Sequence, residues 1–115
     1  MEEIQYRHSA RIVSRLRRQA KADEIRVTIH GHREMAAENI TYDSVREALM
    51  DGEILENYPD HQRGPCCLPC GRIRPGDFLH VVCTTSLDVI VVITVYKPKR
   101  PKWITPFERG GFDEM

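Results

Sequence analysis

The stretch Cys66-Cys67-Leu68-Pro69-Cys70-Gly71 sets Cys67 and Cys70 in a C-x-x-C, with Cys66 beside them and Cys83 downstream. Thiolates at such spacing suit two kinds of chemistry. A zinc site takes four ligands, usually from two such pairs or from one pair and two histidines. A redox pair takes a C-x-x-C that opens a helix, where the helix dipole lowers the thiol pKa. The flanks here read as strand. In an unbroken strand Cys67 and Cys70 point to opposite faces. Structural thiols and no cofactor are therefore expected, with zinc held by Cys66, Cys67, Cys70 and Cys83 as the alternative.

A second group pairs an imidazole with a carboxylate. His30 and Glu34 lie one helical turn apart, where the carboxylate can orient the ring or raise its pKa, as in a general base. An exposed i,i+4 pair is the competing reading. Charge supplies a third group. Arg7, Arg11, Arg15 and Arg18 recur every three or four residues as a basic stripe. The segment KPKRPK, 97–102, lies between Tyr96 and Trp103. Cations beside aromatic rings suit phosphates and stacked bases, and plain solvated charge is the alternative for both.

The elements that must position these groups follow from periodicity. Residues 3–21 place Ile12, Leu16 and Ala20 on one face with no Gly or Pro between, which predicts a helix over the basic residues 1–22. EIRVTIH, 24–30, reads as a short strand. A helix is expected from Gly31 through Asn39, and another after the N-cap Thr41 that stops at Asp51-Gly52. Glu53–Tyr58, Cys66–Ile73, Phe78–Thr84 and Val89–Tyr96 follow as strands. The segment after Lys97 is rich in Pro and Gly, so residues 104–115 are expected to form a flexible tail. Helices first and strands after predict a single α+β domain, with helices on one face of a four- to five-stranded antiparallel sheet.

Parity assigns the faces of the last two strands. Leu79, Val81, Cys83, Val89, Val91, Ile93 and Val95 are all apolar and should meet the helices. Phe78, His80, Val82, Ile90, Val92, Thr94 and Tyr96 make the other, mixed set, on an open or concave face or, alternatively, on a half-solvated one with the tail and Trp103 folded over it. A loop of Thr85-Ser86-Leu87, pairing Thr84 with Asp88, keeps the two sets apart.

The formal net charge is zero but unevenly placed: +4 over residues 1–22, −7 over 23–60 and +3 over 61–115. Basic ends around an acidic middle fit a polyanion or a basic partner equally. No apolar run approaches the roughly 18 residues a bilayer requires, and the acidic start Met1-Glu2-Glu3 does not open a signal peptide. A cytoplasmic protein without membrane contact is expected.

Several short blocks then occur in a recognisable order: HGHREM at 30–35, Ile40-Thr41, GEILENYP at 52–59, GPCCL at 64–68, LHVVCTTS at 79–86, and ITVYKP with PKW at 93–103. Over 24–103 the chain resembles DUF4258, a prokaryotic family of unassigned biochemistry. That family's layout is similar to the RelE and BrnT toxins, small ribonucleases of toxin–antitoxin modules. The resemblance implies a RelE-like toxin that binds or cleaves RNA, an endoribonuclease of the mRNA interferase type if it cleaves. It implies as partner an antitoxin-type protein with a zinc ribbon or helix-turn-helix, and a homodimer is compatible with it. Family members usually carry an aliphatic or aromatic pair where Pro69-Cys70 stands here.

Under that reading, cleavage needs groups to take a 2′-OH proton, to protonate the leaving oxygen and to neutralise the phosphate. His80, Tyr96, His30 and Glu34 are the candidate catalytic set. Arg72, Lys97 and Trp103 join the arginine stripe as candidate RNA contacts. The alternatives are a packed strand histidine at His80 and a non-catalytic partner-binding protein with a small zinc or thiol site.

Overall fold

The computed structural model describes residues 2–74 and 76–110, with side chains from residue 10 onward. Helices α1 (Glu2–Lys21), α2 (Ile29–Glu38) and α3 (Tyr42–Asp51) lie with strands β1 (Ile25–Val27), β2 (Glu53–Tyr58), β3 (Cys66–Arg74), β4 (Asp77–Thr84) and β5 (Ile90–Tyr96). Two short strands, β6 (Trp103–Thr105) and β7 (Glu108–Arg109), pair as a separate hairpin. The main sheet has the order β1-β5-β4-β3-β2. The fold is α+β, and among the described residues no helix is long and apolar enough to cross a membrane.

The sheet is mixed rather than antiparallel, because β1 runs parallel to β5, with Ile25 opposite Ile90 and Val27 opposite Val92. The strand expected over 24–30 ends at Val27. Thr28 then turns the chain, its Oγ1 accepting the Gly31 N–H at 3.0 Å as the N-cap of α2. His30 and Gly31 therefore belong to the helix. Gly31 allows α2 to lie close on the sheet: a Cβ there would stand 2.8 Å from Val27 Cγ1. Thr41 caps α3 as its sequence predicts, accepting from the Ser44 N–H.

Gly52 follows α3, yet its backbone is extended at φ −75° rather than left-handed. Its role is space. Added Cβ atoms at Gly52 and Gly71 would stand 2.5 Å from the Ala48 carbonyl oxygen and 2.4 Å from Ala48 Cα. The two glycines let α3 lie directly on β3.

The register of the main sheet shifts at three places, and the shift in β5 decides which of its side chains face the helices. In β2 the register shifts between Ile54 and Glu56, opposite Pro69 and Leu68. The irregularity falls where β3 has no N–H to donate. In β5 the pairs His80–Tyr96, Val81–Val95 and Val82–Thr94 give way to Cys83–Val92. Ile93 is the extra residue, and parity reverses beyond it. Ile90 and Val92 join Leu79, Val81, Cys83 and Val95 in the helix-side core. Val89, Val91 and Ile93 do not, contrary to strict alternation. The β4–β5 connection is also longer than three residues, since β5 begins at Ile90.

The expected flexible tail is, through Gly110, a strap. Residues 103–109 fold back across the sheet face that the helices leave open, and Trp103 is buried there.

Candidate cationic cleft and the strap beside it

His80 projects from β4 to the face opposite the helices and is completely buried under the strap. Three hydrogen bonds define its chemistry. Trp103 Nε1–H reaches the Tyr96 hydroxyl at 3.2 Å, that hydroxyl lies 3.1 Å from His80 Nδ1, and His80 Nε2 lies 2.6 Å from the Pro106 carbonyl oxygen. A carbonyl only accepts, so Nε2 carries the proton. Nδ1 of a neutral ring then accepts from Tyr96 O–H, which itself accepts from the indole. The chain is satisfied from end to end with a neutral imidazole. Burial pushes the His80 pKa below its usual value, against the opposing pull of the Pro106 carbonyl and the Glu56 charge.

The strap is fastened a second time on β2. Arg109 donates from Nε and Nη2 to the two oxygens of Glu56, with the Nη2 contact at 2.7 Å, and Tyr58 O–H donates to the same carboxylate. The Arg109 hydrogen bonds hold the Glu56 carboxyl below its usual pKa. Burial, with the Glu56 bond, pushes Tyr58 up to about 12. The Arg109 guanidinium also covers the Trp103 ring at 4.7 Å.

One open concavity among several lies where β5 leaves the sheet; another, of about 510 Å³, runs along the Arg11, Arg15 and Arg18 face of α1. Glu34, Glu38, Thr94, Tyr96, Lys97, Lys99, Arg100, Lys102 and Trp103 enclose a cleft of about 350 Å³. Its floor follows from β1 being only three residues long, which leaves the outer edge of β5 beyond Val92, the edge away from β4, with no strand beside it. Helix α2 covers that edge with side chains. The Thr28 hydroxyl donates to Ile93 O, Glu34 Oε1 accepts the Val95 N–H at 2.9 Å, and Glu38 Oε2 accepts the Lys97 N–H at 3.2 Å. Four helical residues rise about 6 Å and two strand residues about 6.6 Å, so the carboxylates at i and i+4 meet alternate amides.

The candidate catalytic set is thus divided. Tyr96 and Glu34 both line the cleft. His80 touches Tyr96 but is sealed beneath the strap. His30 stands at the rim, 66% exposed and 3.4 Å from Glu34 Oε1. Of the candidate RNA contacts, Lys97 lines the cleft, whereas Trp103 is only 2% exposed. Arg72 lies away from the cleft against the Phe78 ring at 5.4 Å, itself in edge contact with Phe107. Arg7 falls outside the residues whose side chains are described. Arg11 and Arg18 are exposed on α1, and Arg15 donates to Leu87 O at 2.8 Å. That contact is on the β4–β5 loop, at the far end of β5 from the cleft.

The cysteines are split between the faces. Cys67 and Cys83 sit opposite each other in the helix-side core, where the neighbouring Cys67 thiol, together with burial, raises the Cys83 pKa. Cys66 and Cys70 lie on the strap side, and burial pushes Cys70 up to about 11. All four are buried and unpaired by disulfides. Among the described residues no three His, Cys, Asp or Glu side chains converge to hold a metal ion.

Sequence reasoning missed Glu38, Glu56 and Arg109. Glu38 had a visible signal, four residues after Glu34 on one predicted helix. The pairing of Glu56 with Arg109 had none, since it needs the strap's fold.

A three-helix layer on one face of a mixed sheet, a hairpin strap on the other and a cationic cleft at the end of one strand define a small α+β domain. The chain belongs to the family described as Domain of unknown function (DUF4258), whose model matches residues 27–97. The match runs from the end of β1 to Lys97; α1, the rest of the basic segment and the strap lie beyond it. No curated protein and no solved structure matches the chain.

Proposed function

We propose that the protein binds single-stranded RNA at the cleft beside β5, as a toxin of the RelE type held in check by an antitoxin-type partner. The observation carrying this reading is the cation set Lys97, Lys99, Arg100 and Lys102 gathered around one concavity. Among the described residues only Lys99 of the four is in an ion pair, 3.2 Å from Glu38. Four cations on one short segment can follow successive phosphates.

Binding is better supported than acid–base cleavage. His80 is neutral, buried and fully hydrogen-bonded, and Glu34 commits one of its two oxygens to the β5 edge. For cleavage, His30 is the member of the set with its ring in water at the cleft rim.

The test is fluorescence anisotropy with a labelled single-stranded RNA. The double variant Lys97→Ala/Arg100→Ala should bind at least about tenfold more weakly. Unchanged affinity would move the site elsewhere. Growth arrest on expression without a partner, relieved in the same variant, is the outcome expected for the toxin assignment.

A further inference from the structure

The cleft is not uniformly basic: two carboxylates share its wall with the four cations. Glu38 is neutralised by Lys99 and holds the Lys97 N–H. Glu34 differs. Its Oε1 takes the Val95 N–H and faces His30, while Oε2 has no protein partner among the described residues. The side chain is 26% exposed and lines the cleft, so Glu34 presents a carboxylate there with one oxygen uncommitted. A carboxylate so placed repels a ligand that offers only phosphate oxygens. It becomes favourable when the ligand carries a hydrogen-bond donor next to its phosphate, because bonds to charged acceptors are among the stronger ones.

Ribose meets that requirement. In RNA every internal 2′-hydroxyl sits on the carbon adjacent to the one bearing the 3′-phosphate, so donor and anion arrive together. Deoxyribose brings the phosphate alone. Resting on the RNA reading above, we infer that Glu34 is the residue that selects RNA over DNA, its free oxygen accepting a ribose 2′-hydroxyl while Lys97 and Arg100 hold the neighbouring phosphate. The position is built rather than incidental: the Val95 bond fixes one oxygen and so aims the other.

The test compares ribo- and deoxyribo-oligonucleotides of one sequence, replacing U by T, on wild type and Glu34→Gln. Glutamine keeps an oxygen for the Val95 N–H and replaces the free acceptor by an NH₂ donor, so the edge of β5 stays covered. Wild type should prefer the ribo-oligonucleotide by about tenfold or more, and Glu34→Gln should reduce that ratio to near one. The ratio is insensitive to the general gain in anion affinity that losing a negative charge brings. Equal affinities in wild type, or a preference that survives Glu34→Gln, overturn the inference and leave the RNA-binding reading standing. No salt-sensitive binding of either oligonucleotide overturns that reading itself.

Discussion

The two faces of the sheet each have a dry centre, and the two centres are differently held. On the helix side Leu79, Val81, Cys83, Ile90, Val92 and Val95 are all fully buried, in contacts that are apolar and non-directional. On the strap side His80 is just as buried, but it is kept there by two directed hydrogen bonds of its own and a third from Trp103 to its partner Tyr96, while the Glu56–Arg109 pair holds the strap's end. Apolar layers tolerate repacking, whereas a polar network requires every member. The helix layer should therefore behave as the stable body of the protein and the strap as a part that can come away. The cleft sits beside the strap because the chain must leave β5 and return before it can form β6, and that crossing carries the four cations.

Truncation within the helix-side core should do the most damage. Leu79→Ala should lower stability by about 2–5 kcal/mol, read as a lower urea midpoint by circular dichroism. A loss below 1 kcal/mol would mean that this face is not the principal core. The strap side can be probed through its own reporter, because Trp103 is the chain's single tryptophan. Arg109→Ala should shift Trp103 emission to the red, at a global cost of only about 1 kcal/mol, since nearly half of the arginine side chain is in water. An unmoved emission spectrum would show that the Glu56 contact does not hold the strap.

The smallest effect concerns pH. The folded pKa of His80 lies below its ordinary 6.5, so the folded state prefers the neutral ring. Its contribution is complete above about pH 6.5, falls as pH drops below that value, and is fully lost below the folded pKa. Glu56, Arg109 and Lys102 supply the surrounding charge. Trp103 emission should therefore change on acidification before circular dichroism does, and His80→Gln should remove that early step. Coincident transitions would make the two layers one cooperative unit.

Much of this architecture is legible in local sequence. Thr41, the apolar positions of α3 and the spans of β2 to β5 all follow from caps and alternation. What stays hidden depends on distant partners. The parallel pairing of Ile25 with Ile90 leaves no periodic trace, and three residues are too few to signal a strand's direction. The bulge at Ile93 defeats parity because nothing nearby in sequence marks it. The strap looks like a tail because Trp103, Pro106 and Arg109 acquire partners only when laid on His80, Tyr96 and Glu56. At the site, the basic segment 97–102 is visible by composition. The sealed state of His80 and the edge-covering use of Glu34 are not, since the sequence shows residue types and not whether their hydrogen bonds are already spent.

The most direct measurement is the salt dependence of RNA affinity. Each phosphate contact to a single strand contributes about 0.7 to the log–log slope. Three or four cations in the cleft should then give a slope of about −2 to −3, falling by about 1.4 in Lys97→Ala/Arg100→Ala. A slope that the double variant leaves unchanged, or an affinity indifferent to salt, would contradict the account.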